Sequence, residues 1–334
     1  MNDQRITMAH GDGGEQAHQL IEEVFLKAFG YNGEPLMDAA CVKVTDRIAV
    51  STDSFVIKPI FFPGGNIGKI AVAGTVNDIA VSGAVPMYIT AGFILEEGFL
   101  IRDLVSIVES MAEEAKKAGV RLISGDTKVV ERGSADGMFI NTTGIGIYQN
   151  EIQIHPEAMQ EGDSIIISGT IGDHGVTILT ARGELGLISD VQSDCASLNH
   201  LIREACEGQS GIRIMRDPTR GGLATTLVEI CEDFKVTMEL DQTALPVRQD
   251  VRGACDMLGF DPLYMANEGK VIIITAKESE EYVLKALQSH ELGKNAKVIG
   301  SITSKDRGQL LLKTPMGTTR RLGRMAGMHL PRIC

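Results

Sequence analysis

The chain has 334 residues, 43% of them hydrophobic and 23% charged; that exceeds the usual single core, so two domains are expected. A net charge of −12, no Trp and 4% aromatics exclude a nucleic-acid surface, which needs clustered Lys and Arg for phosphates and rings for stacking. No apolar run reaches bilayer length, the start Met1-Asn2-Asp3-Gln4-Arg5 lacks a signal-peptide core, and the six cysteines form no Cys-x-x-Cys pair, so a reduced, cytoplasmic protein without membrane contact is expected.

Apolar residues recur at helical spacing over 15–29, after the turn Gly11-Asp12-Gly13-Gly14. Two β-rich stretches, 40–44 and 47–57, flank Thr45-Asp46 and read as a hairpin. Asn66 caps an apolar helix to about Val81, 88–95 is a strand, and 100–118 is an amphipathic helix stopped by Gly119. Strands at 121–130 and 138–148 complete the first half. The second half has strands near 164–168, 236–240, 271–275, 298–301 and 310–313, with helices near 176–181, 195–207, 221–233, 251–258 and 279–288. Pro156 and Gly162 interrupt the periodicity and place the boundary near 151–161. The expected organisation is an α/β (α+β) chain with domains at 1–152 and 153–319 and a tail at 320–334.

The tail ends His329-Leu330-Pro331-Arg332-Ile333-Cys334. Pro331 biases Leu330 toward an extended backbone, and Gly323 and Gly327 loosen what precedes it. A mobile terminus presents its thiol, as a carrier of a covalent group would; an incidental cysteine is the plain alternative.

Asp53, Asp78, Asp126 and Asp217 fall at expected strand ends or turns beside small residues. Carboxylates gathered there resist desolvation unless a cation offsets them, and Mg2+ bridging nucleotide phosphates fits. Singly, Asp53 reads as a turn residue, Asp78 as a helix hydrogen-bonding partner and Asp217 as a helix N-cap. Gly11 to Gly14, Pro63-Gly64-Gly65-Asn66 and Thr219-Arg220-Gly221-Gly222 each open a helix with unshielded N–H groups suited to anions. None is a Walker A loop. Arg216, Arg220 and Lys128 suit phosphate, or an ion-pair network. Glu268 in Ala266-Asn267-Glu268-Gly269-Lys270 precedes an apolar strand, where it reads as a base or as a turn residue paired with Lys270.

Together, Thr52-Asp53-Ser54, Phe62-Pro63-Gly64-Gly65-Asn66-Ile67-Gly68, Gly74-Thr75-Val76-Asn77-Asp78, Gly125-Asp126-Thr127-Lys128, Arg216-Asp217-Pro218-Thr219-Arg220-Gly221-Gly222, Ala266-Asn267-Glu268-Gly269 and the terminal Pro331-Arg332-Ile333-Cys334 resemble the HypE family of nickel–iron hydrogenase maturation factors. That family lies within the aminoimidazole-ribonucleotide-synthetase-like superfamily of ATP users. The resemblance spans essentially the whole chain. It implies a two-domain fold, a homodimer formed through the N-terminal sheet, and ATP between the domains. It also implies the reaction: the carbamoyltransferase HypF loads a carboxamide on Cys334, ATP-dependent dehydration converts it to a thiocyanate, and the HypC–HypD complex receives the cyanide for iron.

On this resemblance the nucleotide-binding residues are Thr52, Asp53, Gly64, Gly65, Asn77, Asp78, Asp126, Thr127, Lys128, Thr219, Arg220 and Gly221. Asp53, Asp78, Asp126 and Asp217 hold Mg2+, Lys128 steadies the transferred phosphoryl, Glu268 takes the nitrogen proton, and Cys334 carries the group. Two rivals remain: a kinase of a free small molecule, which would survive truncation of the tail, and a non-catalytic carrier that uses nucleotide as a switch.

Overall fold

The computed structural model describes residues 4–10, 15–30, 47–149, 152–183, 186 and 189–324. The expected turn at 11–14, the strand at 40–44, Cys41 and Cys334 lie outside them. Helix α1 (Glu15–Leu20) continues as a π-helical turn, Ile21–Leu26, which accounts for the single helix expected over 15–29. Strand β1 (Ile48–Phe55) is followed by a short hairpin, β2 (Phe61–Phe62) and β3 (Gly65–Asn66), that the sequence did not announce.

Helix α2 (Ile67–Val81) starts where expected, because the Asn66 side chain accepts the Lys69 N–H at 3.0 Å. Strand β4 (Val85–Glu96), helix α3 (Ile101–Ala118), β5 (Arg121–Val130) and β6 (Met138–Ile147) follow. The four long strands form one sheet in the order β1-β6-β4-β5, with only the β4–β5 pair parallel. Its core face packs Phe55, Ile89, Phe93, Leu95 and Ile140 on α2 and α3. Period-two alternation then sends Ile48, Val50, Thr52 and Ser54 to the other, open face, where Val50 is 60% exposed and Ile94 41%.

The second domain contains β7 (Ser164–Ile167), α4 (Asp173–Ala181), α5 (Asn199–Cys206), β8 (Ile212–Arg216), α6 (Gly222–Phe234) and β9 (Thr237–Asp241). Helix α7 (Gln249–Leu258), β10 (Ile272–Thr275), α8 (Glu280–Ser289), β11 (Lys297–Ser304), β12 (Gln309–Lys313) and β13 (Thr319–Leu322) complete it. The seven strands run β13-β12-β9-β11-β7-β10-β8, antiparallel except β9–β12. Ile165 and Ile167 join the core that includes Leu223, Leu227 and Ile230 of α6, whereas Ile166 packs in the one containing Leu201 of α5 and Val283 of α8. Burial on both faces explains why β7 and β10 are continuous apolar runs.

The tail does not begin at 320. Residues 320–322 pair with β12, Leu310 facing Leu322, and Leu322 is buried. The helix expected from 195 starts at Asn199, because the segment before it is a strap held by distant side chains. Ser193 donates its N–H to the Pro63 carbonyl at 2.9 Å. The Asn77 amide donates to the Ala196 carbonyl at 3.1 Å and accepts the Leu198 N–H at 2.7 Å, while Glu114 accepts the Ser197 N–H at 2.8 Å. The strap thus fastens one domain to the other.

Candidate active site

Asp53 of β1 and Asp78 of α2 share the core-side edge of the four-stranded sheet, where Ser51 donates its hydroxyl to Asp78 at 2.6 Å. Burial raises the Asp78 pKa and Asp53 adds to the rise, against the Ser51 hydrogen bond and the positive charges of Arg216 and Arg220. Asp217 follows β8 and brings a third carboxylate from the other domain. Burial, chiefly, and the charges of Asp78 and Asp53 push it up to about 7. Glu268 completes the group. It is 3% exposed and its Oε1 has no hydrogen-bond partner. Burial holds its pKa well above the usual carboxylate range, reinforced by Asp194, Asp217, Asp53 and Asp78. Asp53, Asp78, Asp217 and Glu268 therefore sense one another across the junction of the two domains.

Gly221 and Gly222, with φ of +77° and +62°, turn the chain into α6 beside this cluster. A Cβ on Gly222 would lie 2.5 Å from the Met265 carbonyl oxygen, so the close approach requires glycine. Arg220 is exposed at this helix entry, and Thr219 accepts the Gly222 N–H at 3.0 Å. Among the described residues, then, the helix entry at 219–222 is the glycine turn that adjoins the carboxylates. Gly64 and Gly65 serve a different contact: a Cβ would meet the Ser193 backbone at 2.8 Å or the Cys195 sulfur at 2.8 Å.

Four expected positions lie elsewhere. Asp126 is in the middle of β5, not in a turn, and its register row runs Asp126–Gly92–Asn141–Ser54 across the sheet. That row is on the open face, three strand spacings or roughly 14 Å from Ser54, and opposite to the face bearing Asp53. Lys128 accompanies it, 3.4 Å from Asp126, with both side chains about two-thirds exposed. Thr52 is also on the open face, joined to Thr143 and the Thr142 carbonyl, whereas Thr127 pairs with core-facing Phe93. Within this chain the four aspartates thus do not form one metal cage. Asn77 is 2% exposed and both ends of its amide are engaged by the strap, so its main role is to join the domains.

Sequence reasoning missed a second buried set. Lys270 does not pair with Glu268; its Nζ is 3.0 Å from Asp194, and both are almost fully buried. Burial raises the Asp194 pKa, but Lys270 and His174 outweigh it and hold the carboxyl below its usual range. His174 packs edge-on against Phe62 and contacts the Ser193 hydroxyl at 2.8 Å. Nothing in the spacing of His174, Asp194 and Lys270 joins them; the strap does.

Among the described residues, no group of three or more His, Cys, Asp or Glu is arranged to hold a metal by itself. An all-oxygen set of Asp53, Asp78 and Asp217 nevertheless suits Mg2+, which commonly takes one or two carboxylates and completes its shell with phosphates and water.

Family models for the N-terminal and C-terminal domains of AIR synthase related protein match residues 36–148 and 160–313. The carbamoyl dehydratase HypE of Rhodobacter capsulatus is 45% identical, with 100% of this chain and 99% of that protein covered. The chain belongs to the HypE family. A crystal structure of HypE in complex with ATP superposes with a TM-score of 0.91 at 45% identity, covering 98% of this chain and 99% of that one. A HypE–HypF complex matches with a TM-score of 0.80 at 44% identity, covering 92% and 99%. Both the two-domain fold and the resemblance read from the motifs are therefore correct. Among the described residues, no helix is long and apolar enough to cross a membrane.

The carboxylate cluster makes one stability prediction. A folded-state pKa of about 7 for Asp217, against the ordinary 3.8, means that the folded chain holds this proton more tightly than the unfolded chain. Its contribution is fully present below pH 3.8 and lost as pH rises through about 7. The gap corresponds to at most about 4 kcal/mol, and solvent reaching the half-buried residue reduces it to about 2 kcal/mol. Asp217→Asn should therefore stabilise the metal-free protein by about 2 kcal/mol at pH 8 and bring almost no gain near pH 4. Denaturant titrations of both proteins in chelator across that range check it.

Proposed function

We propose that this chain is an ATP-dependent dehydratase that converts an S-carboxamide on its own Cys334 to a thiocyanate, the source of a cyanide ligand for the iron of nickel–iron hydrogenase. The observation that carries the reading is the buried Glu268 carboxyl, whose Oε1 has no hydrogen-bond partner and whose charge is opposed by Asp53, Asp78 and Asp217 at the domain junction. A carboxamide oxygen is a poor leaving group. Transfer of the ATP γ-phosphoryl to that oxygen releases ADP and makes it leave as phosphate; the nitrogen gives up two protons and the carbon–nitrogen bond becomes triple. The net change is loss of one water.

ATP lies between the domains, its phosphates toward the helix entry at 219–222, where Gly221 and Arg220 favour anions. Asp53, Asp78 and Asp217 are the residues that would hold Mg2+, which when bound offsets phosphate charge. Glu268 accepts one of the two nitrogen protons, and the other leaves with the departing phosphate. Asp126 and Lys128 enter through a homodimer closed over the open sheet face, a reading supported by exposed Ile48, Val50 and Ile94 on that face. Lys128 then steadies the phosphoryl group; Lys128→Ala should slow single-turnover dehydration at least about tenfold, and an unchanged rate removes the lysine from the site.

HypF is the loading partner, in keeping with the solved HypE–HypF complex, and HypC–HypD receives the cyanide in the cytoplasm. The deciding experiment is the intact mass of the C-terminal peptide after loading with HypF and carbamoyl phosphate, before and after Mg-ATP. Loss of one water from a carbamoyl adduct on Cys334 only with hydrolysable ATP supports the dehydratase. An unmodified Cys334 rejects it in favour of a kinase of a free substrate.

A further inference from the structure

Glu268 precedes β10, and its backbone is held by the strap. Its N–H donates to Asp194 Oδ1 at 3.0 Å, and its carbonyl accepts the Ala196 N–H at 3.4 Å. The next residue has to be glycine, because a Cβ on Gly269 would lie 1.8 Å from the Asp194 carbonyl oxygen. Asn267 fixes the preceding position: its side chain accepts the Gly172 N–H at 2.8 Å and donates to the Pro218 carbonyl at 3.0 Å. Asp194 is itself clamped by Lys270, Nζ to carboxylate 3.0 Å, with both groups withdrawn from water. The backbone of Glu268 is therefore immobilised on both sides while Oε1 stays without a partner.

We propose that Asp194, clamped by Lys270, is the positioning residue of this site: by accepting the Glu268 main-chain N–H it fixes the direction in which Oε1 of Glu268 meets the carboxamide nitrogen. The inference rests on Glu268 being the base. Asp194 touches neither ATP nor the carboxamide in this account and acts only through Glu268. Reacting groups must be placed within a fraction of an ångström, and supporting residues commonly carry one to two orders of magnitude in rate.

Charge and hydrogen bond are separable with paired substitutions that leave no buried unpaired ion. Asp194→Asn with Lys270→Met removes the ion pair but keeps an oxygen for the Glu268 N–H; Asp194→Ala with Lys270→Met removes both. The measurement is single-turnover dehydration of full-length, carbamoyl-loaded protein, alongside ATP affinity and thermal midpoint. The asparagine pair should dehydrate close to the wild-type rate. The alanine pair should fall about 10- to 100-fold with ATP affinity unchanged. Wild-type dehydration by a folded alanine pair overturns the proposal, as does loss of ATP binding in both pairs, which would mark a purely structural role. If the alanine pair does not fold, the asparagine pair decides: retained dehydration supports the proposal, and its loss with ATP binding intact overturns it. Glu268→Gln serves as the control, since full activity there rejects the base itself, whereas an inactive Glu268→Gln beside an active alanine pair rejects only the role of Asp194.

Discussion

Replacing Glu268 by glutamine is expected to slow dehydration by about 10²- to 10⁴-fold while loading of Cys334 and ATP affinity stay as they were. The side chain is buried, its Oε1 has no partner, and four carboxylates in and around the site oppose its ionisation. A carboxyl in that position binds its proton tightly in the free protein, which is the condition for a base that works near neutral pH. The rate of dehydration should climb as pH rises through the raised Glu268 pKa, because only the ionised form accepts a proton, and this limb should be missing in Glu268→Gln. Stability should move the other way. A raised carboxyl pKa contributes stability that is present below the ordinary 4.5 and disappears as pH rises through the folded-state value. Glutamine resembles the neutral acid and does not titrate, so the variant should be at least as stable as the parent at pH 8. Single-turnover mass analysis of the loaded chain over a pH series reads the rate, and a thermal melt reads the stability. Undiminished dehydration by Glu268→Gln ends the base assignment.

The elements that were legible in the sequence are those whose determinants are local. Asn66 at the start of α2, Gly119 at the end of α3 and the triple-isoleucine runs of β7 and β10 each specify their own structure. Strand β8 was not legible because Arg213 and Arg216 interrupt its apolar pattern; Arg213 is accommodated by a 2.9 Å ion pair with buried Asp163, fifty positions away. Strand β13 is the edge strand Thr319-Arg320-Arg321-Leu322, whose polarity suits an edge and resembles a loop. The late start of α5 has the same kind of cause, since Asn77 and Glu114 hold the backbone of residues 196–198 from far away in sequence.

The site divides along the same line. Asp78, Asp217 and Glu268 were found because each sits in a glycine-bearing motif and Asp53 because it sits between Thr52 and Ser54, and the four do sense one another in the folded chain. Asp194 was missed because it lies in no such pattern, and Lys270, visible beside Glu268 in sequence, pairs instead with Asp194 of the distant strap. Asp126 and Lys128 show the opposite failure: a motif identifies residue types but not the sheet face they occupy. Shifting one position along a strand exchanges the faces, and Thr52 and Asp53 diverge for that reason.

Asn77→Ala is expected to destabilise the protein by about 3 kcal/mol without weakening ATP affinity. Asn77 sits one residue before Asp78 in a motif that reads as nucleotide-binding, yet its amide is turned into the domain interface. Removing it orphans the Leu198 N–H and the Ala196 carbonyl, two main-chain groups at 2.7 and 3.1 Å from the present partners. Each unsatisfied group withdrawn from water costs about 1–3 kcal/mol, and an alanine leaves a void where the amide was. Asn77→Asp should not rescue the loss, because a carboxylate still accepts from Leu198 but faces the Ala196 carbonyl with another acceptor. Thermal melts should show a drop of several degrees for both variants, and ATP titrations well below the melting range should match the parent. A large loss of ATP affinity in a variant of unchanged stability would return Asn77 to the nucleotide site, and the strap would then need another explanation for how it is held.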